Sequence, residues 1–134
     1  MRLLIIFVCL TVSLVYSGDY SFTATSLSSR QTTEAGETVH FKVNLTNTSS
    51  QDLVFTLRSK TISNPKEWMT MICQGGVCSQ VEEVDTQAVP AGGSLELEFS
   101  VITEARGKGT FRFQVFPKDM PTMVKSFTFT VTAK

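Results

Sequence analysis

The chain has 134 residues, of which 42% are hydrophobic and 10% aromatic, and its 12 Lys and Arg residues balance its 12 Asp and Glu residues. This length is sufficient for one domain with a hydrophobic core of its own. The positive charges are scattered along the sequence, which argues against nucleic acid or an anionic membrane surface as a partner.

The N-terminal stretch MRLLIIFVCLTVSLVYSG has the pattern of a secretory signal peptide. Arg2 provides a short positive region, and residues 3–16 form an almost uncharged apolar run. The pattern predicts cleavage after Ser17, which makes residues 1–17 a signal peptide and residues 18–134 a single exported domain. The run is shorter than the roughly 20 residues that span a hydrocarbon core, so a retained membrane anchor is the weaker interpretation. We therefore expect a secreted protein, in the extracellular space, at the cell surface or in the periplasm.

Beyond the leader, apolar and polar residues alternate, which is the pattern of half-buried strands. The first predicted strand lies around Tyr20 to Thr25, and whether it continues after a break to Thr33 is left open. The other predicted strands are TVHFKVNLT, LVFTLR, a weaker strand around Trp68 to Cys73, SLELEFSV, TFRFQV and SFTFTVT. Turns rich in Gly, Pro, Asn, Asp and Ser separate them. Seven short antiparallel strands without a helical window predict an all-β fold, an immunoglobulin-like antiparallel β-sandwich. A closed barrel is the alternative.

The stretch CQGGVC contains Cys73 and Cys78, the two cysteines that are left when Cys9 is removed with the leader. In an oxidising compartment such a pair predicts a disulfide. A zinc site needs four ligands, whereas His40 is the only histidine, and a redox motif has the spacing CxxC. Gly75-Gly76 between strand-like flanks indicates a hairpin tip, where cross-strand neighbours are close enough for the bond. A loop this small is expected to contribute about 2 kcal/mol to stability.

The segments AGETVHFKVNLTNTSS, VPAGGSLELEFSV and GKGTFRFQVF resemble the Ig-like domains of exported bacterial and archaeal surface proteins. In these, a strand that ends in an Asn-Thr/Ser turn precedes a strand introduced by Pro-Ala-Gly. Trp68 with Cys73 and Cys78 is similar to a Trp-x4-Cys-x4-Cys hairpin of some members, and we expect Trp68 to be a core residue near this hairpin. The resemblance implies the fold and an export route. Because both cysteines lie on one hairpin, they cannot join the two sheets as the disulfide of antibody domains does.

The sequence predicts no enzyme activity, no cofactor and no metal site. His40 lies on the polar face of its strand without a nucleophile context. The carboxylates of residues 82–85 lack the glycine-punctuated loop of a calcium site, and a solvated charge cluster is favoured. Two sequons begin at Asn44 and Asn47. A blue-copper site needs two His and a Cys in addition to a thioether, so packing is the favoured role of Met69, Met71, Met120 and Met123.

Three functions are compatible with these features. The first is a non-catalytic, self-associating structural or adhesive protein of the cell surface. The second is a pilus-like filament subunit whose N-terminal strand is exchanged between copies, with Tyr20 and Phe22 as its anchors, although the same segment fits strand A of its own domain. The third is a secreted proteinase inhibitor that presents the loops Ser59–Lys66, Cys73–Cys78 and Pro117–Thr122 from one end. The expected partners are other protein chains, including copies of this one, with no nucleic acid and no stable membrane span after cleavage.

Overall fold

The computed structural model describes residues 20–134, and the predicted signal peptide lies outside the described residues. The strands are β1 (Phe22–Ser26), β2 (Arg30–Thr33), β3 (Thr38–Asn47), β4 (Phe55–Ser63), β5 (Met69–Gln74), β6 (Val77–Ser79), β7 (Glu83–Asp85), β8 (Ser94–Ile102), β9 (Gly107–Pro117) and β10 (Lys125–Ala133). In this part of the chain no helix is long and apolar enough to span a membrane.

The strands form two five-stranded sheets that pack face to face. Sheet I has the order β1-β3-β8-β5-β6, and sheet II has the order β2-β10-β9-β4-β7. Neighbouring strands are antiparallel except β2 and β10, which are parallel. The predicted all-β, immunoglobulin-like sandwich is confirmed, and the two separate sheets show that the alternative of a closed barrel is wrong.

The observed strands differ from the predicted ones at the N-terminus and at two edges. The N-terminal segment is split, so that β1 belongs to sheet I and β2 to sheet II. The short strands β6 and β7 were not predicted as separate strands, because VCS and EVD are too short to show an alternation. Leu53 lies before β4 and forms only an isolated bridge with Val89.

Phenylalanine side chains from both sheets form the centre of the core. Phe129 of β10 stacks on Phe41 of β3 with ring centroids 4.3 Å apart, and its ring lies 5.9 Å from that of Phe99 of β8. Phe129 thus connects sheet II to two strands of sheet I. The largest fully buried side chains are Phe41, Phe55, Phe99, Phe111, Phe113, Phe129, Leu45, Leu57, Ile72, Leu97, Val43 and Val101.

Asn47 is a buried polar residue that ties together the turns at one end of the sandwich. Its Nδ2 donates to the carbonyl oxygens of Gln51 at 2.8 Å and of Val89 at 2.9 Å, and its Oδ1 accepts from the Ser49 amide at 3.0 Å. The side chain is fully buried, so the amide of the second sequon is inaccessible in the folded domain. Asn44 of the first sequon is exposed on β3.

Trp68 is buried directly before β5. Its Nε1 donates to the carbonyl of Ala105 at 3.2 Å. Gly109 permits the packing, because a Cβ at this position would lie 2.9 Å from the ring of Phe111 and 3.2 Å from the indole. Trp68 is thus a core residue, but it lies at the start of β5, whereas the tip of the hairpin follows the end of β5. The expectation that it packs near the hairpin is wrong in this respect.

The contacts of Phe129 predict a large effect of its removal. Phe129→Ala leaves a cavity between the two sheets and is expected to lower the free energy of unfolding by about 3 to 5 kcal/mol. Thr128→Ala on the same strand, which changes an exposed side chain on the opposite face, is expected to stay within about 0.5 kcal/mol of the original protein. Urea unfolding followed by circular dichroism measures both. Similar losses in the two variants would contradict the role assigned to the aromatic contacts.

Candidate functional site

Strand β1 lies at one edge of sheet I and carries the predicted anchor Phe22, while the second predicted anchor, Tyr20, precedes the strand. It is hydrogen-bonded to β3 alone, with Phe22 opposite Asn47 and Ser26 opposite Val43. Phe22 is 6% exposed, and its ring contacts that of Phe55 edge-on at a centroid distance of 5.1 Å. Tyr20 is partly buried against the core. In this structure the N-terminal segment is therefore a strand of its own domain.

The chain changes from sheet I to sheet II between β1 and β2. Leu27 in this connection is 77% exposed, and its amide is 3.5 Å from the carbonyl oxygen of Lys42. Ser26 Oγ donates to the carbonyl of Ser28 at 2.8 Å, which supports a tight turn. The Thr130 amide also donates to the carbonyl of Ser29 at 2.9 Å, where β2 begins its parallel pairing with β10.

The second candidate site is the disulfide-linked hairpin of β5 and β6. Cys73 and Cys78 are direct cross-strand partners and form a disulfide, and Gly75 and Gly76 make the turn with φ values of 53° and 87°. Two successive positive φ values suit a two-residue hairpin turn and favour glycine at both positions. Val77 beside the turn is 71% exposed. The bond thus holds a small apolar tip in a fixed conformation.

A cleft lies between this hairpin and the chain that follows β7. It has a volume of about 430 Å³ and is lined by Gln74, Gly75, Val77, Ser79, Asp85, Gln87 and Leu95. The Gln74 side chain spans it and donates to the carbonyl oxygen of Asp85 at 3.4 Å. The size is sufficient for a small polar ligand or for one side chain of a partner. The sequence does not predict this cleft, because the cleft forms where the edges of the two sheets meet. The apolar residue Val77 beside Cys78 was the only feature of the sequence that pointed to a surface here.

Asp85 on β7 is held by two neighbours. The hydroxyl of Thr56 donates to its Oδ1 at 2.7 Å, and Nζ of Lys118 lies 3.0 Å from its Oδ2. These two contacts, the Thr56 hydroxyl first and then the Lys118 ammonium, lower the pKa of the Asp85 carboxyl. The next carboxylate on this edge, Glu83, faces Arg58 at 3.4 Å. Both side chains are therefore occupied by ion pairs, and residues 20–134 contain no group of three His, Cys, Asp or Glu side chains that could hold a metal ion.

His40 lies on the outer face of sheet I. Its Nδ1 is 2.8 Å from Oγ of Ser100 and 3.5 Å from Oε2 of Glu98. Ser100 Oγ in turn lies 3.8 Å from Sγ of Cys73. His40, Ser100 and Cys73 thus form a row of contacts that holds the hairpin against β8. The sulfur of Cys73 is bonded to Cys78, so this row offers no free thiol.

The three loops considered for proteinase inhibition do not lie together. Part of the predicted loop Ser59–Lys66 belongs to β4, which extends to Ser63. The turn that follows β4 is near Ile102, the partner of the first residue of β5. The hairpin tip and the segment Pro117–Thr122 lie at the opposite end, since β5 runs away from Ile102 and Pro117 pairs with the start of β4. The prediction that these loops share one end is wrong.

The fold recurs in solved structures of very different sequence. A conjugative transposon lipoprotein from Bacteroides eggerthii is 12% identical, with a TM-score of 0.55 over 84% of this chain and 97% of that one. The N-terminal domain of PorA is 18% identical, with a TM-score of 0.53 over 85% and 98%. A family 123 glycoside hydrolase from Clostridium perfringens has a TM-score of 0.58 at 7% identity, but the match covers 85% of this chain and 27% of the hydrolase.

At these identities the likeness shows the fold alone. No protein-family model and no curated protein matches the chain. The fold and the described sites define the chain as an immunoglobulin-like β-sandwich with a disulfide-linked edge hairpin.

The disulfide predicts a modest contribution to stability. Cys73→Ser with Cys78→Ser removes the bond but leaves the core between the sheets intact, so the variant is expected to fold and to lose about 2 kcal/mol of unfolding free energy. Urea unfolding of the original protein with a reductant should give the same midpoint as the variant, and the reductant should leave the variant unchanged. Loss of the β-sheet circular dichroism in the variant would contradict this assignment.

The contacts of Asp85 predict an acid-dependent contribution to stability. The folded pKa of this carboxyl lies below its unfolded value of about 3.9, so the stabilisation is complete above that pH and is lost as the pH falls through the folded pKa. Since both partners of the ion pair are well exposed, the effect is expected to be small compared with that of a core substitution. Asp85→Asn should flatten the stability profile between about pH 2 and pH 5. Glu82→Gln on the same edge is the control and should leave the pH dependence of stability unchanged. If Asp85→Asn also leaves it unchanged, the prediction is contradicted.

Proposed function

We propose that the chain is a non-catalytic, exported structural or adhesive protein that associates with copies of itself by exchanging strand β1. The observation that carries this proposal is the position of β1 at the edge of sheet I, bonded on one side only and joined to the next strand by the exposed connection at Leu27. An edge strand with a short exposed connection can be exchanged between identical chains.

The anchors of β1 give the exchange its specificity. Phe22 fits against Phe55, and Nζ of Lys125 lies 5.6 Å from the centroid of the Phe22 ring. When β1 leaves its sheet, it uncovers this site and the free edge of β3. The β1 strand of a second copy provides the same aromatic ring and the same backbone groups, so the interactions that β1 made within its own chain form again between two chains.

The connection between β1 and β2 is suited to act as a hinge. A change of backbone angles around Leu27 would redirect β1, while β2 stays paired with β10. Reciprocal exchange between two chains gives a closed dimer, and exchange in one direction gives an open filament. The structural and the filament hypotheses are thus two outcomes of one mechanism.

Three features support the exported location. The leader has a signal-peptide pattern, the folded domain contains a disulfide, and a solved structure with the same fold is a lipoprotein. Disulfides persist mainly in oxidising compartments.

A cross-strand disulfide can test the exchange. Thr25 and Asn44 are exposed and opposite each other on β1 and β3, where backbone spacing suits a disulfide. In Thr25→Cys with Asn44→Cys, oxidation at low concentration should lock β1 in its own chain, and light scattering should then show a monomer at every concentration. Oxidation at high concentration should trap the new bond between chains and give covalent dimers or longer species on a non-reducing gel.

The matched control links β3 to β8 and leaves β1 free. Thr46→Cys with Ser94→Cys joins another pair of opposite residues, so its oxidised form should associate like the original protein. A protein that is monomeric over the whole concentration range would overturn self-association. If the oxidised Thr25→Cys, Asn44→Cys protein still associates with every new bond inside one chain, association does not require the exchange of β1.

A further inference from the structure

Positive charge is concentrated on four strands of sheet II, although positive and negative residues balance over the whole chain. Strands β2, β4, β9 and β10, all within the described residues, contain no Asp or Glu. The acidic residues of this sheet are confined to the edge strand β7. The same four strands carry Arg30, Arg58, Lys60, Lys108, Arg112 and Lys125.

The strand register places five of these cations on the outer face of sheet II, all except Lys125. Arg58 is one of the five and is paired with Glu83. Lys60 is directly opposite Arg112, Lys108 is opposite Thr132, and Arg30 is opposite Thr130. We call the surface formed by Arg30, Lys60, Lys108 and Arg112 the basic face. Like charges directly opposite each other destabilise a sheet, so the pair of Lys60 and Arg112 has no stabilising role in the isolated domain.

The cations of the basic face lack acidic partners in the described part of the chain. The ion pairs found there use His40, Lys42, Arg58 and Lys118 as their positive members. A positive face without internal compensation attracts an anionic partner.

Hydroxyl groups accompany the charges. Threonines alternate with the cations on the neighbouring positions, and a shallow depression of about 300 Å³ is lined by Arg30, Gln31, Thr32, Lys108, Thr130 and Thr132. The two cations and the three hydroxyls of this depression can together bind a carboxylate, sulfate or phosphate group and the hydroxyls beside it.

A second copy of this chain does not fit the basic face well. The outer face of sheet I carries Glu96 and Glu98, but Glu96 is paired with Lys42 and Glu98 lies beside His40.

Nucleic acid also fits poorly, because single-stranded binding uses exposed aromatic rings for stacking. The outward ring on β9, Phe116, is buried beneath the guanidinium of Arg58.

We propose that the basic face binds an acidic polysaccharide. The cations are spread over several neighbouring strands, as contact with an extended polymer requires. Lys108 and Arg112 are four positions apart on β9, which corresponds to about 13 Å along the strand. Repeated anionic groups of one polymer chain can therefore contact several cations, while the threonine hydroxyls contact the sugar. The proposal is independent of strand exchange, because β1 belongs to sheet I.

The test measures binding of the folded chain to immobilised polysaccharides. The probes are dextran sulfate and polygalacturonate as acidic polymers, neutral dextran as the uncharged control, and a single-stranded and a duplex DNA as competing polyanions. The protein should bind both acidic polymers at low salt, leave dextran unbound, and bind the DNAs more weakly. Lys60→Gln with Arg112→Gln should weaken binding to the acidic polymers by about tenfold and reduce its salt dependence.

The matched control removes two charges elsewhere. Lys42→Gln with Lys118→Gln changes the net charge equally, but Lys42 lies on sheet I and Lys118 follows the end of β9 that is remote from Lys108, so binding should change by less than about twofold. Equal losses in the two double variants, tighter binding to DNA, or no binding to either acidic polymer would overturn the proposal. The locked Thr25→Cys, Asn44→Cys protein should bind as a monomer, which separates this result from that of self-association.

Discussion

The contact of Phe129 with Phe41 and Phe99 is the constraint on which the surfaces of this protein depend. Side chains alternate strictly between the two faces of a strand, so placing these rings between the sheets also decides which residues point outward. A slip of one residue in β10 or β9 would bring threonines and Arg112 into the core. The aromatic contacts therefore fix the basic face and the row of His40 indirectly, without touching either.

The edges of the two sheets are protected in different ways. At one edge of sheet I, the disulfide of Cys73 restrains the short strand β6, and at one edge of sheet II the short strand β7 carries the charged Glu83 and Asp85. Shortness and charge are common means of preventing strand addition. Strand β1 has neither protection, since FTATS has no charged residue. This asymmetry is the reason why the proposed exchange involves β1 and none of the protected edges.

The sequence was sufficient for the long strands and the hairpin, because alternation and a Gly-Gly turn act locally. It was insufficient for features that arise from strand order. The parallel pairing of β2 with β10 joins the first and last parts of the domain, which no local pattern encodes. Arg30, Lys60 and Arg112 look scattered along the chain, and only the order β2-β10-β9-β4 brings them to one face. The cleft beside Val77 was missed for the same reason, since its walls belong to different sheets.

The two proposed activities use opposite sheets, and this arrangement has a physical consequence. Exchange of β1 engages sheet I, so each copy in an assembly would keep its basic face free on sheet II. Contacts of exposed cations with a flexible anionic polymer are individually weak and sensitive to salt. When several copies are linked, the binding of one face raises the effective concentration of the polymer at the next, and avidity increases without any new type of contact. Self-association would thus convert a weak surface interaction into an adhesive one.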